Sequence, residues 1–192
     1  MKKQYLVLLS CGILGCATLA NADTFDFGGT IDFQTDVVTF NFTLDADATN
    51  VRVWTDSFQS GANFDPITAL WNANSGALIA QNDDNDNVNP ATQTYYDSGF
   101  SLASLIAGDY FFTVAAYSNF AAGSNISDGF QFDGDTPIAI ENWWVNAPGY
   151  YHVVIDGVDS ASGPDPVPEP ATMLLFGTGL AGLVGARLRK KK

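Results

Sequence analysis

Basic residues are almost missing from the body of this chain. Between Asp23 and Pro168, Arg52 alone opposes twenty acidic residues, a net charge of −19 over that stretch. Such a surface repels phosphate backbones, which excludes nucleic acid as a partner, and it attracts cations. Cysteine is missing from the same stretch, because the chain's two, Cys11 and Cys16, both precede it. That stretch therefore has no disulfide, no thiolate metal site and no cysteine nucleophile. Histidine occurs once, at His152. One imidazole without thiolates makes a poor zinc site, and no Gly-x-Ser-x-Gly elbow places a serine for a triad. His152 lies in an apolar run before Asp156 and is read as a structural residue. Charged residues are 15% of the chain, fewer than the solvated faces of a helical bundle need.

What is present is apolar and aromatic. Hydrophobic residues make up 46% of the 192 positions, and 13% are aromatic, which argues for a folded domain rather than a disordered chain. Val38–Leu44 alternates apolar and polar residues, and Val51–Thr55, Tyr110–Tyr117 and Tyr150–Ile155 are rich in strand formers. Shorter runs occur at Thr24–Phe27, Ile31–Phe33, Ile67–Trp71, Leu78–Gln81 and Phe130–Phe132, separated by Asn, Asp, Gly and Ser clusters. Short strands with frequent turn signals predict an all-β fold, a single antiparallel β-sandwich over residues 23–158. Ser101–Ala107 is the one segment there read as a brief helical turn. A proline-spaced linker is expected at 159–170, extended and semi-rigid.

The two ends carry different signals. Residues 1–22 read as a secretory signal peptide, with Lys2 and Lys3, an apolar run from Tyr5 to Ala20, and the small-x-small site Ala20-Asn21-Ala22 for signal peptidase. A first membrane span is the alternative, for which the run is short. Ile13-Leu14-Gly15-Cys16 also loosely resembles a lipobox, with Leu14 atypical there. At the other end Val167-Pro168-Glu169-Pro170 precedes an apolar stretch, 171–186, and the cluster Arg187-Leu188-Arg189-Lys190-Lys191-Lys192. As a helix that stretch would span roughly 24 Å of the inner membrane. The basic cluster would stay cytoplasmic, with the acidic domain on the far side. Gly177-Thr178-Gly179-Leu180-Ala181-Gly182 matches a dinucleotide fingerprint. It lacks the preceding strand that such a site requires, so nucleotide binding is excluded.

The arrangement of Val167 to Lys192 closely resembles the PEP-CTERM sorting signal of Gram-negative bacteria. The resemblance implies recognition by an exosortase in the inner membrane, processing near Val167-Pro168-Glu169-Pro170, and a final place on the cell surface or in the extracellular matrix, often alongside exopolysaccharide. The stretch from about Phe33 to Tyr117 resembles the bacterial pre-peptidase C-terminal domain, a jelly-roll-like sandwich. The pieces that carry it are Thr35–Leu44, Asp65–Trp71, Ser75-Gly76, Leu78–Asp84 and Ala107–Val114. That family implies a non-catalytic accessory module. Gly123 to Trp144 reads as an insertion.

The segment Gln81-Asn82-Asp83-Asp84-Asn85-Asp86-Asn87-Val88-Asn89 is the densest in oxygen donors. Hard oxygen ligands at this spacing suit Ca²⁺, and Asp83, Asp84 and Asp86 repel one another without a cation. Asp83-x-Asn85-x-Asn87 imitates the start of an EF-hand loop, but Val88 replaces its glycine and Thr94 its bidentate glutamate. Further ligands must come from elsewhere, and Asp65 and Asp97 are candidates by their place in the module. Asp133-Gly134-Asp135 is a weaker second candidate. The adjacent Trp143 and Trp144 would point to opposite sides of an extended segment, offering one indole as a glycan platform. Nothing marks a paired-carboxylate hydrolase site. The reading is a non-enzymatic, exported cell-surface or matrix protein sorted by exosortase, expected to be stabilised by Ca²⁺ and to associate with exopolysaccharide; a carbohydrate-binding module and a secreted hydrolase are the alternatives.

Overall fold

The computed structural model describes residues 23–164. The expected cleavage residues Ala20 and Ala22, the Val167–Pro170 motif and the apolar span 171–186 lie outside the described residues. The described chain is nearly all β. Its strands are β1 (Asp23–Thr30), β2 (Val37–Leu44), β3 (Val51–Thr55), β4 (Pro66–Asn72), β5 (Leu78–Asn82), β6 (Gly99–Leu102), β7 (Gly108–Ala116), β8 (Tyr150–Val158) and β9 (Ser160–Ser162). One α-helical turn, α1 (Ile140–Trp143), precedes β8.

Two antiparallel sheets face each other, in the orders β1-β8-β3-β6 and β5-β4-β7-β2-β9. The period of two along each strand explains why they close on one core. Phe40, Phe42 and Leu44 of β2 point inward, as do Tyr110, Phe112, Val114 and Ala116 of β7. Val51 and Val53 of β3 and Tyr151, Val153 and Ile155 of β8 meet them from the opposite sheet. Phe40 touches Tyr151 edge-on across the gap, at 5.7 Å between centroids, and Phe100 meets Phe112 in the same way at 6.4 Å. Each such side chain contributes about 1.5–3 kcal/mol by leaving water, and edge-on pairs add a fraction more.

The outer faces are covered as well. Trp71 points away from the sandwich yet is fully buried. Its Nε1 donates to Thr113 Oγ1 at 3.0 Å and its ring meets Phe130. The segment between β7 and β8 supplies that cover and is pinned to the sheet edge by Leu78 N donating to Ser124 O. On the other sheet, the loop from Asp83 to Ser98 lays Val88 against Trp54 and Val154.

Some expected elements differ. Ser101–Ala107 makes no helical turn: Ser101 and Leu102 finish β6, and Leu105 exchanges two backbone hydrogen bonds with Ala48. Its backbone groups are thus satisfied by an extended partner, while Phe100 and Leu105 are both drawn into the core. Ile31–Phe33 and Phe130–Phe132 form single bridges, Phe33 with Ala139 and Phe130 with Ala121, rather than strands. Ser160–Ser162, assigned to the linker, pairs with Asn41–Thr43 as β9. The chain thereby crosses from one sheet to the other within a residue of β8. A Cβ on Gly163 would stand 2.8 Å from the Phe27 ring, so the chain leaves the domain at the β1–β9 side.

Candidate metal centre

Antiparallel pairing creates the site. Thr68 of β4 is opposite Asn82 of β5, so Asp83 and Asp84, just past β5, arrive beside Asp65, just before β4. One carboxylate oxygen from each of Asp65, Asp83 and Asp84 lies within 4.8 Å of the others. Asp65 is only 5% exposed, Asp83 is half-buried and Asp84 is exposed. Asp65 Oδ1 and Asp83 Oδ1 are both buried and have no hydrogen-bond partner among the described residues.

Burial, reinforced by the charges of Asp83, Asp84 and Asp97, pushes the Asp65 carboxyl up to about 8. Burial and then the Asp84 charge raise Asp83, while burial and then Asp86 raise Asp84. Three carboxyls that resist ionisation in each other's company form a site that a cation would relieve. The donors are all oxygen, which suits a hard cation such as Ca²⁺ and gives no foothold to a thiophilic one. Backbone carbonyls and water would complete a shell of about 6–8 oxygens.

The other carboxylates proposed from the sequence do different work. Asp97 is fully buried and accepts from Phe58 N (3.0 Å), Thr94 N (2.7 Å), Thr94 Oγ1 (3.1 Å) and Thr55 Oγ1 (3.3 Å). Burial raises its pKa and these donors pull it back. It lies outside the trio and staples the end of the loop that Asp83 begins. Asn85 N donates to the Asp97 carbonyl at 2.8 Å, closing the loop's two ends together. Asp86 accepts from its neighbour Asn87 Nδ2 and is not in the trio. Asp133 caps a turn by accepting from Phe130 N, and neither it nor Asp135 joins a ligand group among the described residues.

Trp143 and Trp144 sit at the end of α1 rather than on an extended segment. Trp143 is 38% exposed, but its Nε1 donates to the Tyr117 carbonyl and its ring meets Phe132 at 5.3 Å. Trp144 packs against the main core and lies edge-on to Phe58.

Two groupings were not visible in the sequence. His152 lies between Asp26, whose Oδ1 is 2.7 Å from Nε2, and Asp56, bonded at Nδ1. The first is on β1 and the second follows β3, so only the fold brings them together. Asp156 pairs with Arg52 and Thr24 in the adjacent row rather than with His152. The second grouping is Tyr95, Tyr96 and Phe58, whose only sequence signal is two adjacent aromatics in a polar turn.

Residues 166–190 match the model of the PEP-CTERM protein-sorting motif. The match lies beyond the sandwich and marks the chain as an exported protein sorted by exosortase and displayed at the surface. No curated protein matches the chain.

Proposed function

We propose that this chain is a non-catalytic protein of the Gram-negative cell surface or extracellular matrix, whose sandwich takes up Ca²⁺ at Asp65, Asp83 and Asp84 and associates with exopolysaccharide. The observation that carries the cation reading is the buried, unpartnered oxygen of Asp65 beside two further carboxylates. A buried acceptor without a donor costs about 1–3 kcal/mol, and a bound cation removes that cost. The cation would also tie β4 to the root of the loop between β5 and β6, which connects the two sheets at one edge. A non-catalytic role is supported by His152, the sole imidazole, being held at both nitrogens by carboxylates. While it is protonated and held at both nitrogens, it has no lone pair to act as a base.

The test is thermal unfolding of the protein purified from its exporting cells, in EDTA and in millimolar calcium. Saturating calcium is expected to raise Tm by roughly 5–10 °C. Identical curves would remove the cation from the proposal.

A further inference from the structure

We infer that the loop between β5 and β6 is a binding platform for a neutral glycan, with Tyr95 and Tyr96 as the rings on which the sugar stacks and the cation at the loop's root as their brace; the brace rests on the cation reading above. Tyr95 is 54% exposed and Tyr96 37%. Their ring centroids are 4.6 Å apart, inclined at 70°. Both rings rest on the buried Phe58, at 5.1 and 5.0 Å. Two large rings on a fixed floor lose little freedom when a ligand arrives, which is how tyrosine-rich binding surfaces work.

The turn beside them is strained. Gln59 and Ser60 are non-glycine residues at φ 51° and 57°, followed by Gly61 at 101°. A Cβ on Gly61 would stand 4.0 Å from the Tyr95 hydroxyl, so this turn flanks the ring pair. Ser60 N donates to Thr94 Oγ1 at 3.1 Å, tying the turn to the residue before Tyr95. Left-handed conformations outside glycine persist only where their surroundings fix them, and they collect at ligand clamps.

The link to the cation runs through the loop, whose two ends are joined by Asn85 N donating to the Asp97 carbonyl. The loop begins with Asp83 and Asp84, two of the three proposed ligands, and ends at Asp97. Asp97 holds both Phe58 N, the floor of the platform, and Thr94 N. Pinning Asp83 and Asp84 to Asp65 therefore fixes one end of the segment whose other end is already stapled under the tyrosines. Without the cation, the crowded carboxyl groups at the root lose the bond that joins the loop to Asp65.

The chemistry selects the ligand. The C–H face of a pyranose carries positive edge charge and meets the negative face of an aromatic ring. A polyanion would meet a domain of net charge −19 and be repelled. Display fits as well. β5 and β9 are at opposite edges of the five-stranded sheet, about 19 Å apart across four strand spacings. The chain leaves toward its sorting motif from the β9 edge, and the loop that carries the rings starts from the opposite one.

The experiment is affinity electrophoresis of the protein purified from its exporting cells, through gels holding dextran, laminarin or hydroxyethylcellulose, with calcium or with EDTA. At least one polysaccharide is expected to retard the calcium-loaded protein, and EDTA to weaken that retardation. Tyr95→Ala and Tyr96→Ala should each weaken it roughly five-fold. Tyr95→Phe and Tyr96→Phe should retain it, and Trp143→Ala should leave it unchanged. Unaltered melting curves of the tyrosine variants confirm that they fold. Retardation by none of the three, or retardation that survives the double alanine variant, overturns the platform even where calcium raises Tm. Tyrosine-dependent retardation that is equal in calcium and EDTA, with no calcium shift in Tm, overturns the cation and its bracing role while the rings stand.

Discussion

Asp65 and Asp83 each bury one carboxylate oxygen that no donor among the described residues reaches, and their carboxylates meet in a single cluster with Asp84. Asp65→Asn removes the most buried of the three charges. In EDTA the variant is expected to be more stable than the parent by about 1–2 kcal/mol, because the folded parent must either hold a proton on Asp65 or bury its charge beside two others. In calcium it should gain nothing. Melting curves with and without the ion check both halves, and a variant destabilised in EDTA would contradict the repulsion on which the site rests.

Asp97 and Asp86 were grouped with the trio by sequence and separate from it in the structure. Asp97→Ala would strand Phe58 N and Thr94 N in the interior. A loss of about 2–4 kcal/mol is expected, the same in calcium and in EDTA. Asp86→Ala should change stability by less than about 0.5 kcal/mol. Denaturant melts of the pair measure the contrast.

His152 gives the domain a dependence on pH. Burial alone would lower its pKa, but the hydrogen bonds and charges of Asp56 and Asp26 outweigh burial and hold it above the ordinary 6.5. A neutral imidazole donates from one nitrogen only, so both contacts require the imidazolium. A group whose folded pKa is raised stabilises fully below its unfolded value and loses that contribution as pH rises through the folded value. Stability is thus expected to fall as pH climbs above 6.5, and His152→Gln should flatten the decline. The comparison belongs in saturating calcium. Without the ion Asp65, raised to about 8, declines in the same direction. An unchanged slope in the variant would count against the bridge.

Much of the fold was legible because β2 alternates buried and open positions, and because β7 and β8 are rich in strand formers. β6 and β9 were not, since Gly99–Leu102 and Ser160–Ser162 have little pattern of their own and become strands through the partners they meet. Asp83 and Asp84 stood out by density. Asp97 could not be told from a ligand, because a carboxylate awaiting a cation and one saturated by backbone donors read alike. Asp26, Asp56 and His152 meet only when three elements are assembled.

Sorting has its own check. Mass spectrometry of the protein from cells and medium is expected to show a first residue of Asp23, directly at the start of β1. Its C-terminus should fall near Val167-Pro168-Glu169-Pro170, within the sorting match. A chain uncut at both ends in the cytoplasm would contradict export.

The most direct measurement is a calorimetric titration of calcium into the metal-stripped protein. One ion per chain should bind in the parent, and binding should vanish in Asp65→Asn. Titration without binding, or binding of equal strength in the variant, would contradict a cation held by Asp65, Asp83 and Asp84.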